Sequence, residues 1–164
     1  MAVDMFVKFG AGIDGECTDD AHVDWIEISS YSHGVSQPVS GVSFTGGMTG
    51  GRADFQDMNF VKTLDKATPL LNIACCKGTH IDEITFELCL ATGDKHVFAR
   101  YILTDAIITS VSAGGASQGM EVKPTETVTV AYSKIKWEYT PIDPTGAPGS
   151  PDDKTWNLAT NKQD

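Results

Sequence analysis

A cysteine becomes a nucleophile when an imidazole or a helix N-terminus draws off its proton, and Cys75 with His80 or His96 is the pairing to weigh. Both Cys75 and Cys76 fall at the C-terminal end of a segment that reads as helix. The macrodipole there opposes a thiolate, so structural packing is the better account of both. His22, His33, His80 and His96 lie on separate stretches, and none has the HExxH or Cys/His spacing of a zinc site. They read as surface or turn residues, with no metal and no cofactor. The neighbouring carboxylates Asp19 and Asp20, Glu83 and Glu87, or Asp152 and Asp153 would serve glycoside hydrolysis only if folded into facing pairs. Solvated turns and strand faces suit them better. The glycines between Gly41 and Gly51 lack the Lys-Ser/Thr that completes a phosphate loop. No catalytic signature is left, and the chain reads as a non-enzyme.

Bulk composition narrows the partners. Twelve basic residues against 22 acidic ones give a net charge of -10 over 164 residues, which repels phosphate backbones. Nucleic acid is excluded as a natural partner. A hydrophobic share of 41% and a mean hydropathy of -0.13 belong to a chain with a real core. The amino terminus has no cationic region ahead of its apolar residues, and no stretch nears the roughly 20 apolar residues that span a bilayer. The expectation is a protein made in the cytoplasm, not inserted in a membrane, and exported, if it is exported, without a cleaved signal peptide. Cys17, Cys75, Cys76 and Cys89 read as reduced thiols, because adjacent cysteines rarely meet disulfide geometry.

Period-two alternation places most of the elements. Val3, Met5, Val7 and Phe9 face one way and Asp4 and Lys8 the other. After a Gly/Asp-rich turn, the segment from Asp24 to Val35 reads as a second strand, and Gln37 to Arg52 as a long loop. Alternation resumes from Ala53 to Val61, with a phase change between Phe55 and Met58 that suits a bulge. A short helix follows over about residues 69–77, with Thr68 as N-cap, Pro69 at N1, an apolar stripe of Leu70, Ile73 and Ala74, and Gly78 as C-cap. About nine residues make roughly 13 Å of helix, too little to stand alone. The stretch from Ile84 to Leu90 and the run from His96 to Ser112 form a hairpin, the second run long enough to require a bend. From Thr127 to Thr140 the buried face switches near Ser133, as strands do at a bulge or a crossing between sheets.

These elements describe a mainly β chain, a compact barrel or sandwich with one short helix, over residues 1–141. Residues 142–164 form a Pro/Gly-rich tail, with an edge strand at Thr155 to Leu158.

Several short segments, in this order, resemble the haemolysin-coregulated protein (Hcp) family of type VI secretion systems. They are Met1-Ala-Val-Asp-Met-Phe-Val-Lys8, Gly15-Glu16, Ile28-Ser-Ser-Tyr-Ser-His-Gly34 with Gln37, Phe60-Val-Lys62, Asp65-Lys66 and Thr68-Pro69. Ala74-Cys-Cys-Lys-Gly78, Thr109-Ser-Val-Ser112, Pro124-Thr-Glu126 with Val128, and Tyr139-Thr-Pro141 complete the series. The resemblance implies a two-sheet β-barrel with a flanking helix, six copies of which close into a ring that stacks into a tube. It also implies a sheath that expels the tube, baseplate and tip proteins at its ends, and effector proteins carried by it. Val39 to Arg52 would then be an arm reaching a neighbouring ring. Its apolar contacts would come from Val42, Phe44 and Met48, with Gly46, Gly47, Gly50 and Gly51 allowing close backbone approach. The competing expectation is a monomeric secreted β-sandwich that binds a small ligand or glycan through Trp25, Trp137 and Trp156.

Overall fold

The computed structural model of the chain describes residues 2–41, 46–91, 93, 95–117 and 123–164. Its elements begin with β1 (Val3–Phe9), β2 (Ile26–Glu27), β3 (Ser30–Ser32), β4 (Val35–Ser36), β5 (Val39–Ser40), β6 (Thr49–Gly50) and β7 (Asp54–Phe55). They continue with β8 (Met58–Thr63), helix α1 (Thr68–Lys77), β9 (His80–Leu90), β10 (Val97–Gly114), β11 (Thr125–Tyr139), β12 (Asp152–Asn157) and β13 (Lys162–Gln163).

A nine-stranded antiparallel sheet carries the fold, in the order β13-β12-β11-β10-β9-β1-β2, with β8 also on β11 and β3 on β8. The strand expected from Asp24 to Val35 is broken in three, because its successive pieces take different partners. β2 pairs with β1, β3 with β8, and β4 with β7. The first handover takes one residue: Ile28 N–H donates to the Met5 carbonyl and Ser29 N–H to that of Val61. Backbone pairing thus runs from β1 through β9, β10, β11 and β8 to β3, and the chain itself joins β3 to β2, which pairs with β1. Inside this curl lie Phe9, Phe60 and Phe86, with ring centroids 6.0 and 5.5 Å apart in succession.

The expected phase switch near Ser133 is present. Burial follows Val128, Val130 and Tyr132, then steps to Ile135. Opposite it on β10, Asp105 adopts a positive φ of 51°, and the Ser133 hydroxyl donates to its carboxylate at 2.9 Å. Two strands therefore change their buried face at one level of the sheet. The bend expected in β10 lies there and at the register shift between Ile108 and Ser110.

Helix α1 corrects two details. Ala67, not Thr68, is the N-cap, and no side chain caps the helix, because the Thr68 hydroxyl is turned to Glu126 at 2.8 Å. The inward stripe is Leu71 and Ala74, with Cys75 beside them, whereas Leu70 and Ile73 point outward. Leu70, Leu71, Ile73 and Ala74 offer two overlapping apolar stripes, and periodicity had no means to choose between them. Gly78 ends the helix at φ 60°, where the amides of Gly78 and Thr79 cap the Cys75 and Ala74 carbonyls.

The tail continues the sheet: β12 pairs with β11 from Lys134 to Tyr139, and β13 pairs with β12. Trp156 and Leu158 pack on the core from this edge. No described helix is long and apolar enough to cross a membrane.

Candidate functional site

Within residues 37–52, expected as a loop, the described residues instead hold a short two-stranded ribbon, β5 with β6. β4 pairs with β7 in the register Val35 to Phe55, and farther out β5 pairs with β6 in the register Val39 to Gly50. Among the described residues, these four strands pair only with one another. Between the two ladders the Gly51 amide donates to the Pro38 carbonyl at 2.9 Å, and Gln37 Nε2 donates to the Gly51 carbonyl at 2.6 Å. The projection is therefore a braced arm.

Its glycines divide into two kinds. A Cβ at Gly50 would lie 2.7 Å from the Gln37 side chain, and one at Gly51 would lie 3.3 Å from the Pro38 ring, so these two serve the arm's own close packing. A Cβ at Gly46 or Gly47 would meet nothing within 4 Å among the described residues. Met48, next to them, is 72% exposed, and Val35 and Val39 are each 53% exposed. Val42 and Phe44 lie outside the described residues.

An aromatic root holds the arm to the sheet. Phe55 lies nearly parallel to both Trp137 and Trp156, at 6.2 and 6.4 Å. Arg52 adds a bond to the Leu158 carbonyl, tying the arm to the terminal hairpin. Beneath them, Trp137 Nε1–H can only donate, so the His33 Nε2 it meets at 3.4 Å is an acceptor and the ring proton sits on Nδ1. Nδ1 faces the Tyr132 hydroxyl at 3.2 Å, and that hydroxyl donates to the Gln56 carbonyl at 2.9 Å. Tryptophans thus meet here in part: Trp137 and Trp156 share Phe55, while Trp25 lies against His22 and Lys8.

Burial pushes the His33 pKa below the ordinary value of 6.5, with only a partial counterweight from the Gln56 backbone. The unfolded chain therefore takes up this proton first as pH falls. Its stabilising share is complete above 6.5 and is lost progressively below it. Unfolding free energies measured between about pH 8 and about pH 5 should fall more steeply for the native chain than for His33→Phe. Equal slopes would contradict this account of the root.

Two buried polar clusters were missed in the sequence. Lys62 and Glu126, both fully buried, meet at 2.6 Å, with Asp65 at 2.8 Å and the Thr63 carbonyl at 2.9 Å from the same ammonium. A signal was available: Lys62 continues the inward series Met58 and Phe60, and Glu126 precedes Val128 and Val130 on the same face. His22 is the second correction, since it is 2% exposed and not a surface residue. The segment from Ile13 to Trp25 folds over the outer face of β1 and β9, where Gly15 fits because a Cβ would lie 2.3 Å from the Trp25 carbonyl. That fold-over stacks His22 on Phe6 at 4.0 Å and buries Glu87, which was assigned to a solvated strand face. No local pattern joins His22 to a partner 65 residues away.

The remaining chemical candidates do not assemble. Cys75 packs on the core, Cys76 is exposed, and His80 bonds Asp105 at 3.0 Å on the surface. Asp152 pairs with Lys154 and Asp153 with Lys136, both at exposed positions.

Residues 6–139 match the family described as "Type VI secretion system effector, Hcp". The curated protein Hcp1 of Pseudomonas aeruginosa is 37% identical over 165 residues, covering 99% of each chain. A solved type six secretion system protein superposes with a TM-score of 0.94 at 33% identity, covering 99% of this chain and all of that one. Hcp1 from Salmonella typhimurium superposes with a TM-score of 0.82 at 29% identity, each chain fully covered.

Proposed function

Since the chain belongs to the Hcp family of type VI secretion tube proteins, we propose that it assembles as six-membered rings that stack into a tube. The tube carries effectors and is driven out of the cell by a contractile sheath, on a baseplate and behind a tip complex. One observation supports this reading above the others. The chain holds out a braced, rooted arm whose Val35, Val39 and Met48 stay more than half exposed.

Apolar side chains presented on a stiff ribbon suit a partner with a matching surface, and a second copy supplies one in a heterologous assembly. The outward helix residues Leu70 and Ile73 offer a second apolar strip, suited to the seam between neighbours in a ring. Gly46 and Gly47, where an added Cβ would meet no described residue within 4 Å, leave room for close backbone approach. The functional test is release. In the producing bacterium the chain should reach the medium only while the sheath can contract, and equal release from a sheath-deficient strain would refute the proposed route.

Identical copies, each carrying -10, repel one another, so assembly has to overcome charge wherever they touch. Raising ionic strength from about 0.01 M to about 0.15 M shortens the screening length from about 30 Å to about 8 Å. Sedimentation should show the assembled fraction rising over that range. A steep fall would mean that complementary charges, not apolar contacts, hold the copies together.

A further inference from the structure

Outside the arm, three side chains with metal-binding chemistry converge on the outer face of β9. His22 Nε2 lies 2.9 Å from Glu87 Oε2 and 3.9 Å from Cys89 Sγ, and the three ligand atoms all lie within 4.8 Å of one another. All three residues are buried. We propose that His22, Glu87 and Cys89 form a binding site for one divalent cation of the zinc class.

The donor set is one imidazole nitrogen, one carboxylate oxygen and one thiolate, the mixture that zinc accepts. Bonds of about 2.0–2.3 Å at tetrahedral angles place nitrogen and oxygen about 3.4 Å apart, and nitrogen and sulfur about 3.6 Å apart. Reaching those values from 2.9 and 3.9 Å takes shifts of a few tenths of an ångström.

The surroundings match what metal ligands require of their neighbours. Asp19 Oδ1 holds the His22 Nδ1–H at 2.8 Å, which leaves Nε2 aimed at the other two ligands. Asp19 is itself kept ionised, its pKa lowered to about 2 by the Lys95 ammonium and then by His22. Arg100 Nε donates to Glu87 Oε1 at 2.8 Å and fixes the carboxylate with Oε2 toward the imidazole. Phe6 stacks on one face of the ring and Trp25 meets it edge-on at 4.9 Å. A groove of about 250 Å³, lined by Phe6, Cys17, Asp19 and Lys95, reaches two of these supporting side chains, Phe6 and Asp19.

Binding is an exchange of cation for proton. Burial pushes the Cys89 thiol up to about 11, so it is protonated before the ion arrives. The cation displaces the thiol proton. Affinity therefore falls as pH falls.

The test uses the full chain, stripped with a chelator and titrated with zinc, then with cobalt as a coloured substitute. Native mass should show one zinc per chain, and cobalt should produce the near-ultraviolet band of a thiolate-bound ion. Cys89→Ser should abolish that band and weaken zinc binding by at least about tenfold, and Asp19→Asn should weaken it by about 10–100-fold. Because substitution of a buried cysteine can harm folding, a Cys17→Ser, Cys75→Ser, Cys76→Ser variant gives a second arm, retaining Cys89 as its sole thiol. It must keep the band. Failure to bind zinc stoichiometrically, loss of the band in the triple variant, or full binding by a folded Cys89→Ser variant would each overturn the proposal.

Discussion

Glu126→Ala is expected to destabilise the chain by about 3 kcal/mol, because it leaves the Lys62 ammonium buried with half of its anionic partners removed. Removing one member of a buried pair generally costs about 3–5 kcal/mol, since the survivor can be neither solvated nor neutralised by its surroundings. Here Asp65 still faces the ammonium at 2.8 Å, which favours the lower end of that range. The Thr68 hydroxyl would lose its acceptor as well, loosening the first turn of α1. Against a typical stability of about 5–15 kcal/mol, such a loss is severe. Replacing both partners, as in Lys62→Met with Glu126→Leu, should cost much less, because no buried charge is then stranded. Urea unfolding at one fixed protein concentration would measure both. A Glu126→Ala cost within about 0.5 kcal/mol of zero would show that the pair is not the buried tie between β8, β11 and the helix described above.

The second large effect concerns assembly and should leave the fold intact. Phe44→Ser with Met48→Ser removes two large apolar side chains from the arm; Met48 is 72% exposed within its own chain, and Phe44 enters the argument by its type and position in the sequence. Fully burying such a side chain is worth about 1.5–3 kcal/mol. If a neighbouring copy covers only half of each, every arm contact weakens by about 1.5–3 kcal/mol, or roughly 10–100-fold. The expected result is a variant with native unfolding behaviour whose rings no longer stack. Stacking equal to that of the native chain would remove the arm from the interface.

Much of this architecture was legible because half-buried strands write their period into the sequence. The phase switch near Ser133 and the bend in the run after His96 followed from alternation, and both are present, whereas the tail strand runs over Asp152–Asn157 instead of Thr155 to Leu158 and has β13 outside it instead of forming the edge. What stayed hidden depended on partners far along the chain. The piece from Asp24 to Val35 looks continuous, yet its neighbours change from β1 to β8 to β7. The helix start slipped by one residue because the Thr68 hydroxyl serves a carboxylate 58 residues away instead of its own backbone.

Of the arm, sequence composition marked the segment but not its form. Glycines and exposed apolar residues looked like a loop, and only the pairing of Val39 with Gly50 and Val35 with Phe55 makes it a ribbon. Its root was out of reach, since His33, Phe55, Trp137 and Trp156 come from four separate stretches.

Both the buried tie and the root fix a frame from which the arm and the outward face of α1 are presented. Presentation to other copies is therefore the central claim, and negative-stain imaging of the purified chain at several concentrations tests it most directly. The account predicts rings of uniform diameter built from six copies, with short stacks appearing as concentration rises. Single small particles at every concentration would contradict it.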